Sequence, residues 1–519
     1  MAFIIIVIAP IAMMIGKSLW HEGALSLTNY VGIFSDTRQV SLFFKSLHLA
    51  FFTTLLSILM GVPLAFVATR TDIPWRKLWL WVYLLPLLIP PYIHSLTWIS
   101  LLGTRGILYR FLGIENSFFN IYSVTGSSFI LAFSYFPFVT LLAVSGLYSI
   151  DHRYEEASNL SHHPAETIWR VTLPLLFPFI VSGAIFVFIF SLFNYSVPAV
   201  FRVHTYPVEI FSQFSAFYNE GRATSLALPI VGLALMLLLI QRKGIGKRSY
   251  VTMGTGSKPQ PQVNLGRFKT IALGFVSGIF ILSVLLPLMI LLVEIGSPDS
   301  IEVAWRTSAT EITSSLKFAV IAATVVVVLS YFISSALEHV KTGYRNMLDI
   351  LTFIPFAFPA TVIGIGLIHF WNNPFTDIVY KSSLILIIAY FIRFIPYTIR
   401  IFFASAQQIG KSLKEAAMIV EKSWVKRVVK VDLPLTLQGL AAGWVIAFVL
   451  CMNELGATLL VIPPGNGTLA LKIYTLMHYG SSKLVAALSL ILIFTNLVVT
   501  SAIALGFRRI THHWRNPCS

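Results

Sequence analysis

The sequence predicts an all-α integral membrane protein with about twelve transmembrane helices, arranged as two parallel six-helix units. Three observations predict this fold class. Of the 519 residues, 56% are hydrophobic and only 11% are charged, whereas a soluble domain carries about 25% charged residues. Apolar segments of roughly 20 residues, the length that crosses a bilayer, recur along the chain. A polar stretch of the first half also recurs in the second half, 260 positions later.

The predicted spans divide evenly between the two halves. Six lie in the first half and six in the second, at about 1–16, 45–68, 78–102, 126–148, 173–201 and 225–240, and then 270–295, 312–337, 347–371, 383–405, 433–461 and 483–507. The first segment has no basic residues before its apolar run, which favours a span over a cleaved signal peptide. Because six is an even number, the two units are expected to share one orientation, as in a parallel repeat.

The segment between the halves, Gln241–Lys269, is rich in Gly, Pro, Ser and basic residues. This composition is typical of a flexible linker. The predicted organisation is therefore a first unit at 1–240 with a polar loop at 151–174, the linker at 241–269, a second unit at 270–507 with a polar loop at 411–434, and a basic tail at 508–519.

The basic residues predict the orientation. If the N-terminus is cytoplasmic, 23 of the 37 Lys and Arg residues fall in cytoplasmic segments, as the positive-inside rule requires. Both termini and both polar loops are then cytoplasmic. The basic excess is thus a topological signal, and no nucleic-acid partner is predicted. Cys451 and Cys518 form neither a disulfide framework nor a metal-binding pattern, and no metal site is predicted.

The repeated polar loop is the main functional signal. Glu155–Pro174 reads EEASNLSHHPAETIWRVTLP, and Glu415–Pro434 aligns with it without a gap as EAAMIVEKSWVKRVVKVDLP. Each copy reads as two short amphipathic helices joined by a turn, with Asp151 as a cap in the first copy and a Ser412–Glu415 capping box in the second. An alternative is a helix resting on lipid headgroups. Two matched copies favour docking onto a partner with two equivalent sites.

This loop resembles the signature loop of membrane subunits in binding-protein-dependent ABC importers of the type I permease fold. That signature is E-A-A, three residues, G, nine residues and I-x-L-P. In the first copy Glu155, Ala157, Leu173 and Pro174 match it, and Glu156 replaces the first Ala. In the second copy Glu415, Ala416, Ala417, Leu433 and Pro434 match it. Ser161 and Glu421 replace Gly, so the turn either does not need a positive φ or is strained there.

The resemblance implies that these residues form coupling helices that dock onto two copies of a cytoplasmic ABC ATPase. It also implies a periplasmic or lipid-anchored substrate-binding protein and a location in the bacterial inner membrane. The chain contains no G-x-x-x-x-G-K-[ST] motif. No cofactor is therefore expected on this chain, ATP and Mg²⁺ are expected on the partner subunits, and the chain is predicted to be a transport subunit rather than an enzyme.

The fused layout resembles the ferric-iron importer permeases and their relatives for thiamine, phosphonate and polyamines. Asn453–Gly480 and its counterpart Phe193–Gly221 resemble the gate regions of the iron group, which implies ferric iron as cargo and leaves the other three as alternatives. A secondary transporter driven by an ion gradient is a rival, but such folds show inverted repeats and intramembrane acids. A membrane enzyme is a second rival, but it would need clustered His, Asp or Glu at one face.

Polar residues at membrane depth are the candidates for a pathway or gate. They are Asn194 and Tyr195 in the first half, and Arg393, Asn453 and Glu454 in the second. Glu454 is expected either to serve the gate or to be solvated near the outer interface. Arg393 is expected either to pair with Glu454 or to face the central cavity.

Overall fold

The computed structural model describes residues 3–21, 24–26, 28–104, 106–113, 120–245, 263–340, 342–407, 416–417, 419–421 and 423–515. Glu415, most of the linker and the end of the tail lie outside these residues. The described part of the chain is almost wholly helical, apart from two two-residue strands at Trp20–His21 and Ala24–Leu25. The predicted all-α class is confirmed.

The helices of the first half are numbered α1–α13 in chain order. They are α1 Ala9–Ser18, α2 Thr28–Ser35, α3 Thr37–Arg70, α4 Arg76–Val82, α5 Pro91–Leu102, α6 Ile107–Leu112, α7 Val124–Ser149, α8 His152–Asn159, α9 Pro164–Thr167, α10 Leu173–Leu192, α11 Ser196–Val200, α12 Tyr206–Ser215 and α13 Glu220–Ile245. The long helices of this half are α3, α7, α10 and α13.

The helices of the second half are numbered α14–α25. They are α14 Lys269–Phe280, α15 Leu286–Ile295, α16 Asp299–His339, α17 Thr342–Phe353, α18 Ala360–Trp371, α19 Asp377–Tyr380, α20 Leu384–Gln407, α21 Trp424–Arg427, α22 Leu433–Met452, α23 Thr458–Val461, α24 Leu469–Tyr479 and α25 Ser482–Arg515. Helices α16, α20, α22 and α25 correspond to the four long helices of the first half.

Nine helices in the described part of the chain are long and apolar enough to cross a membrane, and eleven if each of two bent pairs counts as one span. A shorter apolar helix covers Ile5–Ser18. The protein is therefore a multi-pass membrane protein. The predicted spans 173–201 and 433–461 are longer than the helices found there, which end at Leu192 and Met452. Side chains that cap the following turns cause both breaks, as described below.

The two bent spans owe their shape to proline. Arg76–Leu88 meets Pro91–Leu112 at 88°, and Met347–Ala357 meets Ala360–Trp371 at 104°. Ile89 and Phe358, which precede Pro90 and Pro359, are both extended. A residue before proline is driven out of the helical region because its backbone clashes with the proline ring.

Four π-helical turns also lie next to prolines. They cover Ile4–Ile8, Ile168–Thr172, Ile281–Leu285 and Val428–Asp432. Each ends two residues before a proline, namely Pro10, Pro174, Pro287 and Pro434. Proline has no N–H and its ring crowds the carbonyl four residues earlier, so a wider turn accommodates both defects. Two of the four π turns therefore come from the Leu-Pro pairs of the repeated loop.

The chain forms two compact units whose boundaries differ from those of the two sequence halves. The first unit is Ala24–Gly296, and the second consists of Met1–Gly23 and Ser297–Ser519. Within the first unit α3, α7 and α10 pack together, and α14 and α15 pack on α3 and α5. Within the second unit α16, α20 and α22 pack together, and α1 packs on α18. The opening span of each half thus belongs to the unit built from the other half.

Specific contacts fix these exchanged spans. A Cβ at Gly366 in α18 would lie 3.0 Å from the carbonyl oxygen of Pro10, so only glycine permits α1 to approach this closely. In the first unit, Asp72 accepts hydrogen bonds from the Leu265 N–H and from Lys269 Nζ, each at 3.1 Å. These two donors, the Leu265 N–H first, hold the pKa of Asp72 below its usual value.

The predicted boundaries 1–240, 241–269, 270–507 and 508–519 describe the repeat in the sequence, whereas the compact units describe contacts in space. The exchange of the opening spans is the difference between them. The division by sequence remains our proposal for the repeat.

Candidate functional site

The first repeated loop folds as a helix, a turn and a second helix. Asp151 Oδ1 accepts the Arg153 N–H at 3.0 Å and starts α8, as the sequence predicted. The chain then turns through Leu160–His163, where the Ser161 and His162 N–H groups bond the Ser158 carbonyl. Helix α9 follows and continues through the π turn into α10 without a break. The loop is therefore rigidly joined to a membrane span.

Glu155 is buried at the centre of this element. Its carboxylate lies 3.0 Å from Arg70 Nη1 and accepts a hydrogen bond from Thr172 Oγ1 at 2.8 Å. The side chains of Arg70 and Glu155 are only 2% and 8% exposed. Arg70 Nη2 also donates to the Leu147 carbonyl at 2.9 Å. Glu155 therefore ties α8 to the ends of α3 and α7 and to the π turn.

The other predicted docking residues of the first loop lie at its surface. Glu156, Ala157, Ser161 and Pro174 are exposed, and Leu173 is partly exposed. Of the signature positions in this loop, Glu155 has the geometry of an internal brace, while Glu156 and Ala157 have the geometry of a contact surface.

The second loop is described in part, and Glu415 lies outside the described residues. Ala416 is exposed, Ala417 is buried, and Glu421, Leu433 and Pro434 are partly exposed. The described non-glycine residues with positive φ are Trp75, Arg202 and Tyr218, which include neither Ser161 nor Glu421. We predicted that the turn without glycine either does not need a positive φ or is strained. The first alternative is the observed one.

Sequence reasoning missed one apolar residue at the tip of each loop. Leu160 is 89% exposed and Val420, its counterpart 260 positions later, is 87% exposed. The same position in both copies thus presents an apolar side chain to solvent. The signal was present in the sequence for Leu160, which is the one apolar residue of Ser158–His163, whereas Val420 ends the apolar run Ala416–Val420.

At membrane depth the structure brings Arg393 and Glu454 together. Arg393 Nε lies 2.7 Å from Glu454 Oε2, and Glu454 Oε1 accepts the Ala457 N–H at 2.9 Å. The Glu454 side chain is 4% exposed and that of Arg393 is 25% exposed. Of the predicted alternatives for Arg393, pairing with Glu454 is the observed one. Glu454 is a buried cap at the break that follows α22, not a solvated residue.

The first half builds the same break without charge. Asn194 Oδ1 accepts the Val197 N–H at 2.9 Å, and Asn194 Nδ2 donates to the Tyr135 hydroxyl at 2.9 Å. Asn194 thus ties the turn after α10 to α7, as Glu454 ties the turn after α22 to α20. Tyr195 is buried, with its ring 4.7 Å from that of Phe211.

Two further contacts strengthen the polar character of the second half. Asn453 Oδ1 accepts a hydrogen bond from Asn496 Nδ2 on α25 at 2.9 Å. Arg400 Nη2 lies 2.9 Å from Asp349 Oδ1 on α17, and the Arg400 guanidinium stacks 3.7 Å from the centre of the Phe353 ring. Both arginines that the sequence places within the α20 span are therefore paired with carboxylates.

A short helix near the predicted outer side is attached in the same way in each unit. Ser46 Oγ accepts the N–H of Tyr206, the first residue of α12, at 2.8 Å, and Ser315 Oγ accepts that of Leu469, the first residue of α24, at 2.6 Å. Burial, with a smaller effect of nearby carboxylates, raises the pKa of Tyr206 to about 12.

An ion pair joins each of these short helices to a long helix, and the positions of the acidic and basic residues are exchanged between the two units. Arg38 on α3 pairs with Glu209 on α12 at 2.8 Å, whereas Glu311 on α16 pairs with Lys472 on α24 at 3.0 Å. Within the described residues, no group of three or more His, Cys, Asp or Glu side chains is placed to hold a metal ion.

These features define a class: a multi-pass, all-α membrane protein whose sequence contains an internal repeat with one polar loop in each half. A family model described as "Binding-protein-dependent transport system inner membrane component" matches residues 55–243 and 333–512. Together these segments cover more than half of the chain, and the chain belongs to this family.

Among curated relatives, the chain is 26% identical over 470 residues to "Fe(3+)-transport system permease protein FbpB 2" of Haemophilus influenzae, covering 89% of each chain. It is 25% identical over 550 residues to "Ferric transport system permease protein FbpB" of Actinobacillus pleuropneumoniae, covering 100% of this chain and 78% of the relative. It is also 29% identical over 204 residues to "Molybdenum transport system permease protein ModB" of Mycobacterium tuberculosis, covering 37% of this chain and 76% of the relative.

Proposed function

We propose that this chain is the complete membrane pore of an ATP-driven importer, which passes ferric iron from a substrate-binding protein to the cytoplasm. One copy of the chain supplies both halves of the pore, and two copies of an ABC ATPase dock on the predicted cytoplasmic side. The chain has no ATPase site of its own. It lies in the inner membrane with both termini cytoplasmic. Thiamine, phosphonate and polyamine remain the alternative cargoes.

The observation that carries the proposal is the matched pair of loops. In the first, a short helix is braced by Glu155 and presents Leu160 to solvent, and in the second Val420 occupies the equivalent position. Two equivalent docking elements on one chain fit two copies of one partner. Because α9 continues into α10, movement of a docked ATPase is transmitted to the span as a rigid-body motion.

The cargo is assigned by similarity. Two relatives that are similar over most of the chain are permeases for ferric iron, whereas the molybdenum relative is similar over 37% of the chain. The similarity over both halves supports ferric iron as the cargo of this chain too. The fused arrangement further supports a single copy of this chain per complex.

The test of the docking role changes Leu160 and Val420 to Asp, singly and together, in the chain co-expressed with its ATPase and binding protein. A charge at an apolar docking tip is desolvated without a partner. We expect each single change to weaken co-purification of the ATPase, and the double change to abolish hydrolysis stimulated by the iron-loaded binding protein.

The matched control is Tyr344→Asp, at a residue that is 67% exposed outside the two loops. It is expected to leave assembly and hydrolysis unchanged. If the double variant assembles and hydrolyses ATP like the unchanged protein, the loops are not docking elements. Loading the binding protein with iron, thiamine, a phosphonate or a polyamine in turn identifies the cargo independently of the variants.

A further inference from the structure

Helix α20 has a narrow polar face. Among residues 391–400, only Arg393, Tyr397 and Arg400 are not buried, and all three are partly exposed. Positions four and seven residues apart lie on one side of an α-helix, so these three form a single stripe. Ile392, Ile395 and Ile399, which lie on either side of the stripe, are at most 1% exposed. A lipid-facing helix would instead expose a broad apolar face, whereas the accessible side of this part of α20 is polar.

The more accessible charged groups of this stripe are the two guanidinium groups, which are positive. Glu454 is 4% exposed against 25% for Arg393, and Asp349 is 21% exposed against 34% for Arg400. In each pair the carboxylate is the more deeply buried partner. Ionisable residues in membrane spans face the protein interior or a water-filled route rather than lipid. A solute that reaches this face of α20 therefore meets guanidinium groups and a tyrosine.

The stripe is specific to the second half. At the 260-residue offset of the repeat, the matching positions in α7 are Phe133, Pro137 and Thr140. None of these is charged. The two arginines are therefore not required by the repeated architecture itself, whose first copy forms the same helix without them.

We infer that Arg393, Tyr397 and Arg400 line the route of the cargo and select for oxyanion groups, so that ferric iron crosses with oxyanion ligands attached rather than as a bare cation. The planar guanidinium group matches carboxylate and phosphate oxygens in a bidentate manner. A bare trivalent cation meets the guanidinium groups before the more deeply buried carboxylates, so the stripe offers it no favourable contact. This inference rests on the proposed function and specifies the chemical form of its substrate.

The first experiment needs no variant. The full complex, with its ATPase and binding protein, is reconstituted in liposomes, and the binding protein is loaded with radiolabelled iron together with radiolabelled phosphate or citrate. We expect iron and one labelled anion to accumulate together in a constant ratio. Accumulation of iron with neither anion overturns the inference and leaves the proposed function intact. Accumulation of the labelled anion without iron overturns ferric iron as cargo but supports the oxyanion-selecting stripe.

The second experiment removes the cations without leaving buried carboxylates unpaired. The double variants Arg393→Gln/Glu454→Gln and Arg400→Gln/Asp349→Asn keep each pair as neutral hydrogen-bonding groups. Each is expected to lower uptake by about tenfold or more, as expected for loss of one charge-assisted hydrogen bond, with binding-protein docking unchanged.

Glu302→Gln/Arg306→Gln is the matched control, because it neutralises a surface pair whose side chains are 62% and 77% exposed. It is expected to transport normally. Arg393→Lys keeps the charge but loses the planar fork, so its uptake should lie between that of the unchanged protein and that of the neutral variant. Normal uptake in both neutral double variants would show that the stripe does not contact the cargo.

Discussion

Arg70 at the end of α3 and Glu155 in α8 form a buried ion pair, with Arg70 Nη1 3.0 Å from Glu155 Oε2. The pair joins the first repeated loop to the membrane span α3, because Arg70 lies 85 positions before Glu155. Arg70 also bonds the carbonyl of Leu147 in α7, which lies 77 positions after it. Thr172 donates to the same carboxylate. The orientation of the loop is therefore set by a charge pair beneath it.

Removal of one partner of this pair should be costly. Glu155→Gln or Arg70→Gln leaves the other group buried and charged, which destabilises a protein by about 3–5 kcal/mol. We expect a clear fall in the thermal unfolding temperature of the purified protein for each single variant. The apolar double variant Arg70→Met/Glu155→Leu should be more stable than either single variant, because it leaves no buried charge.

The matched control for that experiment is the pair Arg170–Glu166, whose charged atoms lie 2.8 Å apart but whose side chains are 64% and 37% exposed. Exposed pairs of this spacing contribute about 0.3–0.5 kcal/mol. Glu166→Gln should therefore change the unfolding temperature little. Equal effects of Glu155→Gln and Glu166→Gln would contradict the bracing role of Glu155.

Pro174 and Pro434 should control the angle of the helices in the two repeated loops. Replacement of either by Ala restores an N–H and removes the ring, so the π turn before it is expected to close into an α-helix. The helix that carries the loop would then rotate relative to the span. We expect stable protein in which hydrolysis is no longer stimulated by the loaded binding protein.

Pro178 provides the control substitution. It lies one turn further along, inside α10, and the π turn Ile168–Thr172 does not adjoin it. Pro178→Ala should retain coupling. Retained stimulation in Pro174→Ala/Pro434→Ala would show that the π turns are incidental to coupling.

Ser46 should hold α12 in place. Its hydroxyl accepts the Tyr206 N–H in a fully buried setting, and loss of a partner for a buried donor costs about 1–3 kcal/mol. We expect Ser46→Ala to increase amide hydrogen exchange across Tyr206–Ser215, measured by mass spectrometry. Ser315→Ala should do the same for Leu469–Tyr479.

Ser57→Ala in the same helix is the control. Ser57 is also fully buried, but its hydroxyl has no hydrogen-bond partner within the described residues. This variant should exchange like the unchanged protein. If Ser46→Ala and Ser57→Ala behave alike, the serine bond does not secure α12.

Gly366 should be essential for the attachment of α1. A Cβ there would lie 3.0 Å from the Pro10 carbonyl oxygen and 3.2 Å from its carbon, and a backbone neighbour cannot move away as a side chain can. We expect Gly366→Ala to destabilise the protein by about 1–3 kcal/mol. Gly232 in α13 has nothing within 4 Å of its Cβ position, so Gly232→Ala should be neutral or stabilising by up to about 1 kcal/mol. Equal stability of the two variants would refute close packing of α1 at Gly366.

The sequence by itself determined the fold class, the repeat and the positions of the two repeated polar loops. These features depend on local patterns: apolar runs long enough for a bilayer, and one polar motif that occurs twice at a constant offset. The cap at Asp151 was also predicted from the sequence, because a helix cap involves only neighbouring residues. Arg393 with Glu454 was one of two predicted arrangements, since the sequence placed both residues in spans but not on facing sides.

Only the tertiary structure decided what depends on contacts between distant segments. No local pattern indicated that Glu155 is buried against Arg70, because the two residues are 85 positions apart. The exchange of α1 between units was equally invisible, since hydropathy records that a segment spans the membrane but not which helix it packs against. The stripe on α20 likewise required the burial of every neighbouring residue to be known. Hydrophobic pattern determines which segments enter the membrane, whereas side-chain packing determines which of them meet.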